Sequence, residues 1–353
     1  MSPTRARRRR PARTARGTSR ARRDAERGEV RIGISGWHYP PWRGVFYPDG
    51  LAQRRELEVA TRRLRTVEIN ASFYALQRPS TYEAWYAAAP EGFVFAVKGG
   101  RFITHDKRLR DCGGPLANFF ASGVLALEDK LGPVLWQLPP QLAFDAERLE
   151  EFLASLPRTT DAAAALAQRH DARLTHGTWC RVHTSRPIRH AIEVRHESFD
   201  DPAFVRILRR ANVALCVSDA AGEWPCLEDV TADFVYVRLH GATRLYASGY
   251  ASRALDRWAA RVAAWRRGAQ PSDAALAAPY AAPCSRDARD VYVYFDNDAE
   301  ARAPFDAMNL AARLGHGAHV TFPRARWRAA AAERAKAGTP RRPWRSRRDR
   351  AGE

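Results

Sequence analysis

The sequence is poor in lysine, in cysteine and in long apolar runs, and each scarcity removes a class of protein. Only 4 lysines stand beside 54 arginines in 353 residues. Positive charge is therefore carried almost entirely by guanidinium groups. No run of about eighteen apolar residues occurs, so no membrane-spanning helix is expected, and the N-terminal arginines are not followed by the apolar segment of a secretory signal. The expected location is cytoplasmic, with no membrane partner. Five cysteines (Cys112, Cys180, Cys216, Cys226, Cys284) are odd in number and include no CxxC pair. That disfavours a disulfide framework and a zinc knuckle and reads them mostly as buried thiols. A Walker loop, a GxGxxG turn after a strand and a GxSxG elbow are all missing, which argues against nucleotide-cofactor and serine-hydrolase chemistry.

What is present is enough apolar residue, 45%, to bury a large core in one α/β barrel or two ordinary domains. The net charge of +19 is concentrated at the ends. Residues 1–29 and 324–353 each carry +8 and leave +3 for residues 30–323. Two disordered basic arms are expected, at 1–29 and 319–353, flanking a domain at 30–318. Such arms bind nucleic acid or another polyanion through phosphate contacts, or simply reflect an arginine- and alanine-rich coding bias.

Eight β-branched or aromatic segments read as strands: 31–35, 66–70, 93–98, 133–138, 191–196, 213–218, 234–240 and 291–297. Helical patterns separate them. Asp201-Pro202 opens one that Asn212 ends, Asp145 opens another that runs to Pro157, and a last one spans about Pro304 to Gly315. Eight alternations predict an α/β fold of the TIM-barrel-like (β/α)8 type in a single domain. Two stretches interrupt the repeat as insertions: 158–189, with an extra alanine-rich helix, and 268–289, read as a flexible low-complexity segment.

Residues two apart on a strand share a face. One face is apolar throughout, aliphatic with Phe93, Phe95, Trp136 and Phe295 among it, and must meet the helices. The other holds Gly33 and Ser35, Glu68 and Asn70, Ala96 and Lys98, Gln137, Glu193 and Arg195, Cys216 and Ser218, Tyr236, Arg238 and His240, and Tyr292, Tyr294 and Asp296. In a closed barrel this face points inward, with its charges at the C-terminal strand ends where barrel active sites are built.

The segments "IGISGWHYPPWRGVFYP", "VEINASFY", "FAVKGGRFITH", "GPVLWQLPP", "IEVRHESF", "ADFVYVRLHG" and "VYVYFDND" resemble, in order and over about residues 31–315, the signature segments of the family called domain of unknown function 72, or YecE-like. The resemblance implies a TIM-barrel-like fold and a set of positions, with no established reaction. The positions are Ser35, Trp37, Tyr39, Glu68, Asn70, Phe73, Tyr74, Lys98, Gln137, Glu193, Arg195, His196, Arg238, His240, Asp296, Asn297 and Asp298. Where the family pattern has proline after the fifth-strand histidine and asparagine in the eighth-strand motif, this chain has Glu197 and Asp296.

A charge buried alone costs several kcal/mol, so these inward charges are either a self-neutralising lattice or a ligand site. On the site reading, Glu68 and Glu193 move protons, with His196, His240 and Asp296 as further catalytic candidates. Lys98, Arg195 and Arg238 bind an anion, and Ser35, Asn70, Gln137 and Asn297 orient the ligand. Trp37, Tyr39, Trp42, Phe73 and Tyr74 either stack on the ligand or form a hydrophobic plug. The segment 105–111, "HDKRLRD", reads as a solvated face, with a phosphate contact as the alternative. No cofactor is expected. A divalent metal held by Glu68, Glu193, Asp219, His240 and Asp296 is the alternative, opposed by the intervening cations.

The first functional expectation is a cytoplasmic enzyme doing acid/base chemistry on a small anionic, phosphorylated or carboxylated, sugar-like ligand. The second is a nucleic-acid-binding or phosphodiester-processing protein, by fold analogy with endonuclease IV-type barrels. The third is a non-catalytic ligand-binding scaffold.

Overall fold

A computed structural model describes residues 28–281 and 288–336. Eight parallel strands, β1 (Val30–Ser35), β2 (Thr66–Ile69), β3 (Val94–Lys98), β4 (Leu131–Gln137), β5 (His190–Glu193), β6 (Ala214–Asp219), β7 (Phe234–Leu239) and β8 (Asp290–Phe295), follow one another round a closed barrel. β8 returns to pair with β1. This is the expected (β/α)8 architecture, with helices packed round the outside. No helix among the described residues is long and apolar enough to cross a membrane.

The helix ends follow their local chemistry. Asp145 caps the helix Ala146–Ser155 by accepting from the Arg148 backbone N–H at 3.1 Å. Asp201 caps Pro202–Ala211 by accepting from Ala203 N–H at 2.6 Å, and Asn212 ends it in the left-handed conformation, φ 47°. The alanine-rich stretch of the first insertion is the helix Thr160–Ala167, capped by Thr159. Each cap supplies a partner to a backbone group that the helix leaves unpaired.

The two strand faces separate as the alternation predicts. Ile32, Ile34, Val67, Ile69, Phe95, Val97, Trp136, Ile192, Val217, Val237 and Val293 join the main core against the helices. Ala96, Ala214, Cys216, Tyr236, Tyr292 and Tyr294 form a second cluster inside the barrel. The lumen is thus filled from below by small residues and tyrosine rings. Gly33 belongs to the same packing: a Cβ there would meet the Thr66 carbonyl oxygen at 1.8 Å.

Three expectations need correction. β5 ends at Glu193, so Arg195 and His196 lie beyond the ladder. β5 registers with β6 at Ala191 and Ile192 alone, and His196 turns away to cap the short turn Glu197–Phe199. The supposedly flexible 268–289 insertion is anchored where it is described. Asp229 accepts from the backbone N–H groups of Ala277 (2.8 Å) and Ala278 (3.2 Å), and Glu228 accepts from Ala275 (2.9 Å). The C-terminal arm is not disordered from 319 onward. Asn309 holds the backbone of Val320 through both amide atoms, Phe322 packs edge-on to Phe305 at 5.2 Å, and Arg324–Lys336 is a helix. A charge count misses this because three apolar residues, Val320, Phe322 and Trp327, meet the core. Residues 1–27, 337–353 and Cys284 lie outside the described residues.

Candidate functional site

The C-terminal end of the lumen is organised by one guanidinium. Arg238, fully buried on β7, donates from Nη1 to Glu193 Oε2 at 2.7 Å. From Nη2 it reaches Glu68 Oε1 at 2.8 Å, Ser35 Oγ at 2.8 Å and Asp296 Oδ2 at 3.1 Å. Ser35 and Glu68 stand in register on β1 and β2, which places the serine hydroxyl to donate to the same Glu68 oxygen. Tyr236 donates to the other, Oε2, at 2.6 Å. Asn70 donates to Ser35 Oγ at 3.1 Å.

These contacts fix the electrostatics. Burial alone would raise the Glu193 carboxyl, but Arg195 and Arg238, aided by His240, hold it well below the ordinary carboxylate range. Burial opposes the Arg238 charge, and Glu68, Glu193 and Asp296 more than restore it, leaving the guanidinium firmly protonated. Burial, together with Glu193, pushes the Cys216 thiol well up, so it is no nucleophile. Tyr236 is raised by burial and by Glu68. It stays a hydrogen-bond donor.

Above this layer lies a partly exposed rim. Arg195 donates to Glu193 Oε1 from Nε (3.0 Å) and Nη2 (2.8 Å), and its planar head stacks over Trp224 at 4.0 Å. Trp224 and Tyr246 present ring edges to the buried imidazole of His240, with centroids 5.3 and 5.5 Å away. His240 Nδ1 lies 3.0 Å from Asp296 Oδ2, an acceptor, so Nδ1 carries the hydrogen. Its Nε2 faces Glu193 Oε1 at 3.5 Å, a long ion-pair contact that falls outside hydrogen-bond geometry. A buried nitrogen with no closer partner is rare enough to require a reason.

The remaining candidates are distributed as follows. Lys98 is buried at the end of β3, its ammonium 4.3 Å above the Phe73 ring. Trp37, Tyr39, Trp42 and Phe73 are buried, so of the two aromatic readings the plug describes them. Trp37 packs edge-on to Trp85, and Trp42 donates to the Asp298 carbonyl at 2.8 Å. Tyr39 donates to the Ser35 carbonyl at 2.5 Å, its phenol raised by burial and by Asp298. Tyr74 alone of that set is exposed, at 47%. Gln137 donates to the Leu138 carbonyl, His196 bonds Ser198, and Asn297 ties Ser248 to Asp306 at 3.0 and 2.8 Å. Gln137 nonetheless stands in register with Glu193, on the inward face of β4. Sequence reasoning missed Trp224 and Tyr246, which come from irregular loops with no periodic signal.

The guanidinium of Arg238 occupies the centre of the carboxylates, where a divalent cation would have to sit. Among the described residues no three His, Cys, Asp or Glu side chains converge to hold a metal ion. A pocket of about 500 Å³ opens at the opposite, N-terminal end of the barrel, beside Arg189 and Asp233. It is remote from this chemistry, and Arg189 is already paired with Asp290 at 2.6 Å.

Comparison with known proteins agrees with the fold. Solved structures of DUF72 family proteins from Thermotoga maritima (TM-score 0.62, 22% identity, 81% of this chain and 99% of that one) and Enterococcus faecalis (TM-score 0.58, 16% identity, 81% and 95%) share the barrel. Among curated sequences, UPF0759 protein YunF of Bacillus subtilis is 28% identical over 180 residues, 50% of this chain and 54% of the relative. UPF0759 protein YecE of Escherichia coli is 30% identical over 129 residues, 36% and 44%. The chain thus matches about half the length of these relatives. The family model described as "Protein of unknown function DUF72" matches residues 31–330, and with that span covering every strand of the barrel, the chain belongs to the DUF72 family.

Proposed function

We propose that the protein is an enzyme that moves a proton on a small anionic ligand at the C-terminal mouth of the barrel. The observation that carries this reading is His240 Nε2: buried, without a hydrogen bond, 3.5 Å from the Glu193 carboxylate, and oriented by the Asp296 contact to the other ring nitrogen. A carboxylate on Nδ1–H leaves Nε2 as the proton acceptor and stabilises the imidazolium that forms. Glu68 and Glu193 were the first proton-moving candidates by sequence. Both are occupied by donors, and Glu193 stays ionised. In this reading they hold Arg238 and Arg195, and His240 moves the proton.

Arg238 is fully enclosed by three carboxylates, whereas Arg195, though bonded to Glu193, reaches the partly exposed rim, so Arg195 is assigned to the anion together with Lys98. Trp224 and Tyr246 cover the imidazole, and ligand entry requires them to move. Phosphorylated or carboxylated sugar-like compounds are the ligand class, and cytoplasm the expected compartment.

The test is a turnover screen of the full chain against phosphorylated and carboxylated sugars, repeated with His240→Gln and Arg195→Met. The expected result is a kcat lowered at least about 100-fold by the first, and a raised KM from the second, with thermal midpoints near that of the parent. Saturable binding without turnover would support the scaffold reading. Activity that needs a divalent metal and salt-sensitive DNA binding through the arms would support phosphodiester processing.

A further inference from the structure

Three of the four exposed large hydrophobic side chains among the described residues, Tyr74 (47%), Leu76 (39%) and Phe102 (45%), stand together on the rim after β2 and β3. Leu76 and Phe102 flank a cavity of about 420 Å³ whose walls include Ile103, Pro115 and Phe119. That volume is within the range of small-molecule sites. Exposed apolar side chains of this size cost solvation, and a cluster beside a cavity marks a surface that something covers.

The polar content of the cavity is narrow. Asn118 lines it, but its amide is taken up by Asp171, donating to Oδ1 at 3.0 Å and accepting from the backbone N–H at 2.9 Å. The one charged side chain on the wall is Arg173. Its guanidinium carbon is 5.6 Å from the Phe102 ring centroid, and its Nε forms a long ion pair with Asp171 Oδ2 at 3.9 Å that leaves the side chain 65% exposed. An apolar trough with one accessible cation at its lip fits a ligand with a hydrocarbon or aryl body and one acidic head.

The backbone here is also unusual. Phe102 opens a five-residue π-helix, Phe102–Asp106, a form concentrated at functional sites. Arg108, Leu109 and Asp111 follow with positive φ of 49°, 68° and 48°. Such conformations in residues other than glycine persist only where the surroundings hold them. Within "HDKRLRD", Asp106, Arg108, Arg110 and Asp111 are exposed, as expected of a solvated face, while Leu109 turns inward and is buried.

We infer that this trough is a binding site for a small amphipathic anion, with the apolar body against Leu76, Phe102 and Phe119 and the acidic head on Arg173. None of the residues lining it belongs to the Arg238 network, and the assignment does not rest on the reading of His240.

The test uses the full-length protein and anilinonaphthalene sulfonate as the probe, with dodecanoate as competitor. The expected result is one saturable, fluorescence-enhancing site per chain that dodecanoate displaces. Phe102→Asp and Leu76→Asp, both at exposed positions, should weaken the probe about tenfold or more, and Arg173→Glu should weaken dodecanoate to a similar degree. Circular dichroism and thermal midpoints monitor the fold. Probe binding unchanged in all three folded variants, or many weak sites per chain, would overturn the assignment. Dimerisation that Phe102→Asp abolishes, with no probe site in the parent, would give the trough to a second copy of the chain and equally overturn it.

Discussion

Arg238 faces Glu68, Glu193 and Asp296 at 2.8, 2.7 and 3.1 Å in a site without water contact for its own side chain. Removing the cation leaves three carboxylates confronting one another. Arg238→Met is therefore expected to destabilise the protein by about 3–5 kcal/mol, read as a lowered urea midpoint, whereas Glu193→Gln, which keeps a hydrogen-bonding oxygen, costs less. His190 gives the pH dependence. It accepts from Trp136 Nε1 at 3.2 Å, so its Nε2 carries the hydrogen and donates to the Pro157 carbonyl at 2.8 Å. Burial pushes it down from 6.5 to about 4. Between those values the unfolded chain binds the extra proton, so stability falls as pH drops through the window, by about 3 kcal/mol at full extent. Glu193 adds a loss that sets in as pH falls through the ordinary carboxylate range and continues toward its lowered native value. Asp306, raised by burial to about 6, works in the opposite sense, its contribution fading as pH rises through that value. Urea midpoints at neutral and mildly acidic pH should therefore differ less in His190→Gln than in the parent; an unchanged difference would assign the acid sensitivity elsewhere.

At the scale of elements, strand parity and helix punctuation were readable because each is local. Asp201, Pro202 and Asn212 act as cap, first-turn residue and left-handed terminator, and Asp201→Ala should cost about 1 kcal/mol in thermal or urea unfolding. β5 was overextended by reading "AIEVRH" as one run. Neither hydropathy nor alternation distinguishes a residue that continues a ladder from one that has just left it. Only the neighbouring strand, β6, decides that, by offering Ala214 and Leu215 and no further partner in register. The consequence is functional. Arg195, freed from the strand, swings its guanidinium onto Trp224 while keeping both bonds to Glu193.

For the whole molecule, the two +8 ends against a +3 body separate polyanion affinity from barrel stability. A chain cut to residues 28–336 is expected to keep the thermal midpoint of the parent and to elute from heparin at distinctly lower salt. A barrel that unfolds on this truncation would show that the ends contribute to packing. The sequence by itself determined the eight-fold alternation, the parity that sends aliphatic residues out and polar ones in, and the list of charges gathered at the C-terminal strand ends, since all follow from residue spacing along the chain. Which of those charges neutralise one another was decided only by closure of the barrel, which brings Arg238 of β7 against Glu68 of β2, 170 positions earlier in the chain. The same closure draws loop residues Trp224 and Tyr246 over His240, sets one imidazole nitrogen 3.5 Å from Glu193 without a hydrogen bond, and turns Phe102 outward beside an open cavity. Those are distances between segments far apart in sequence, and pairwise geometry of that kind is set by packing, not by pattern.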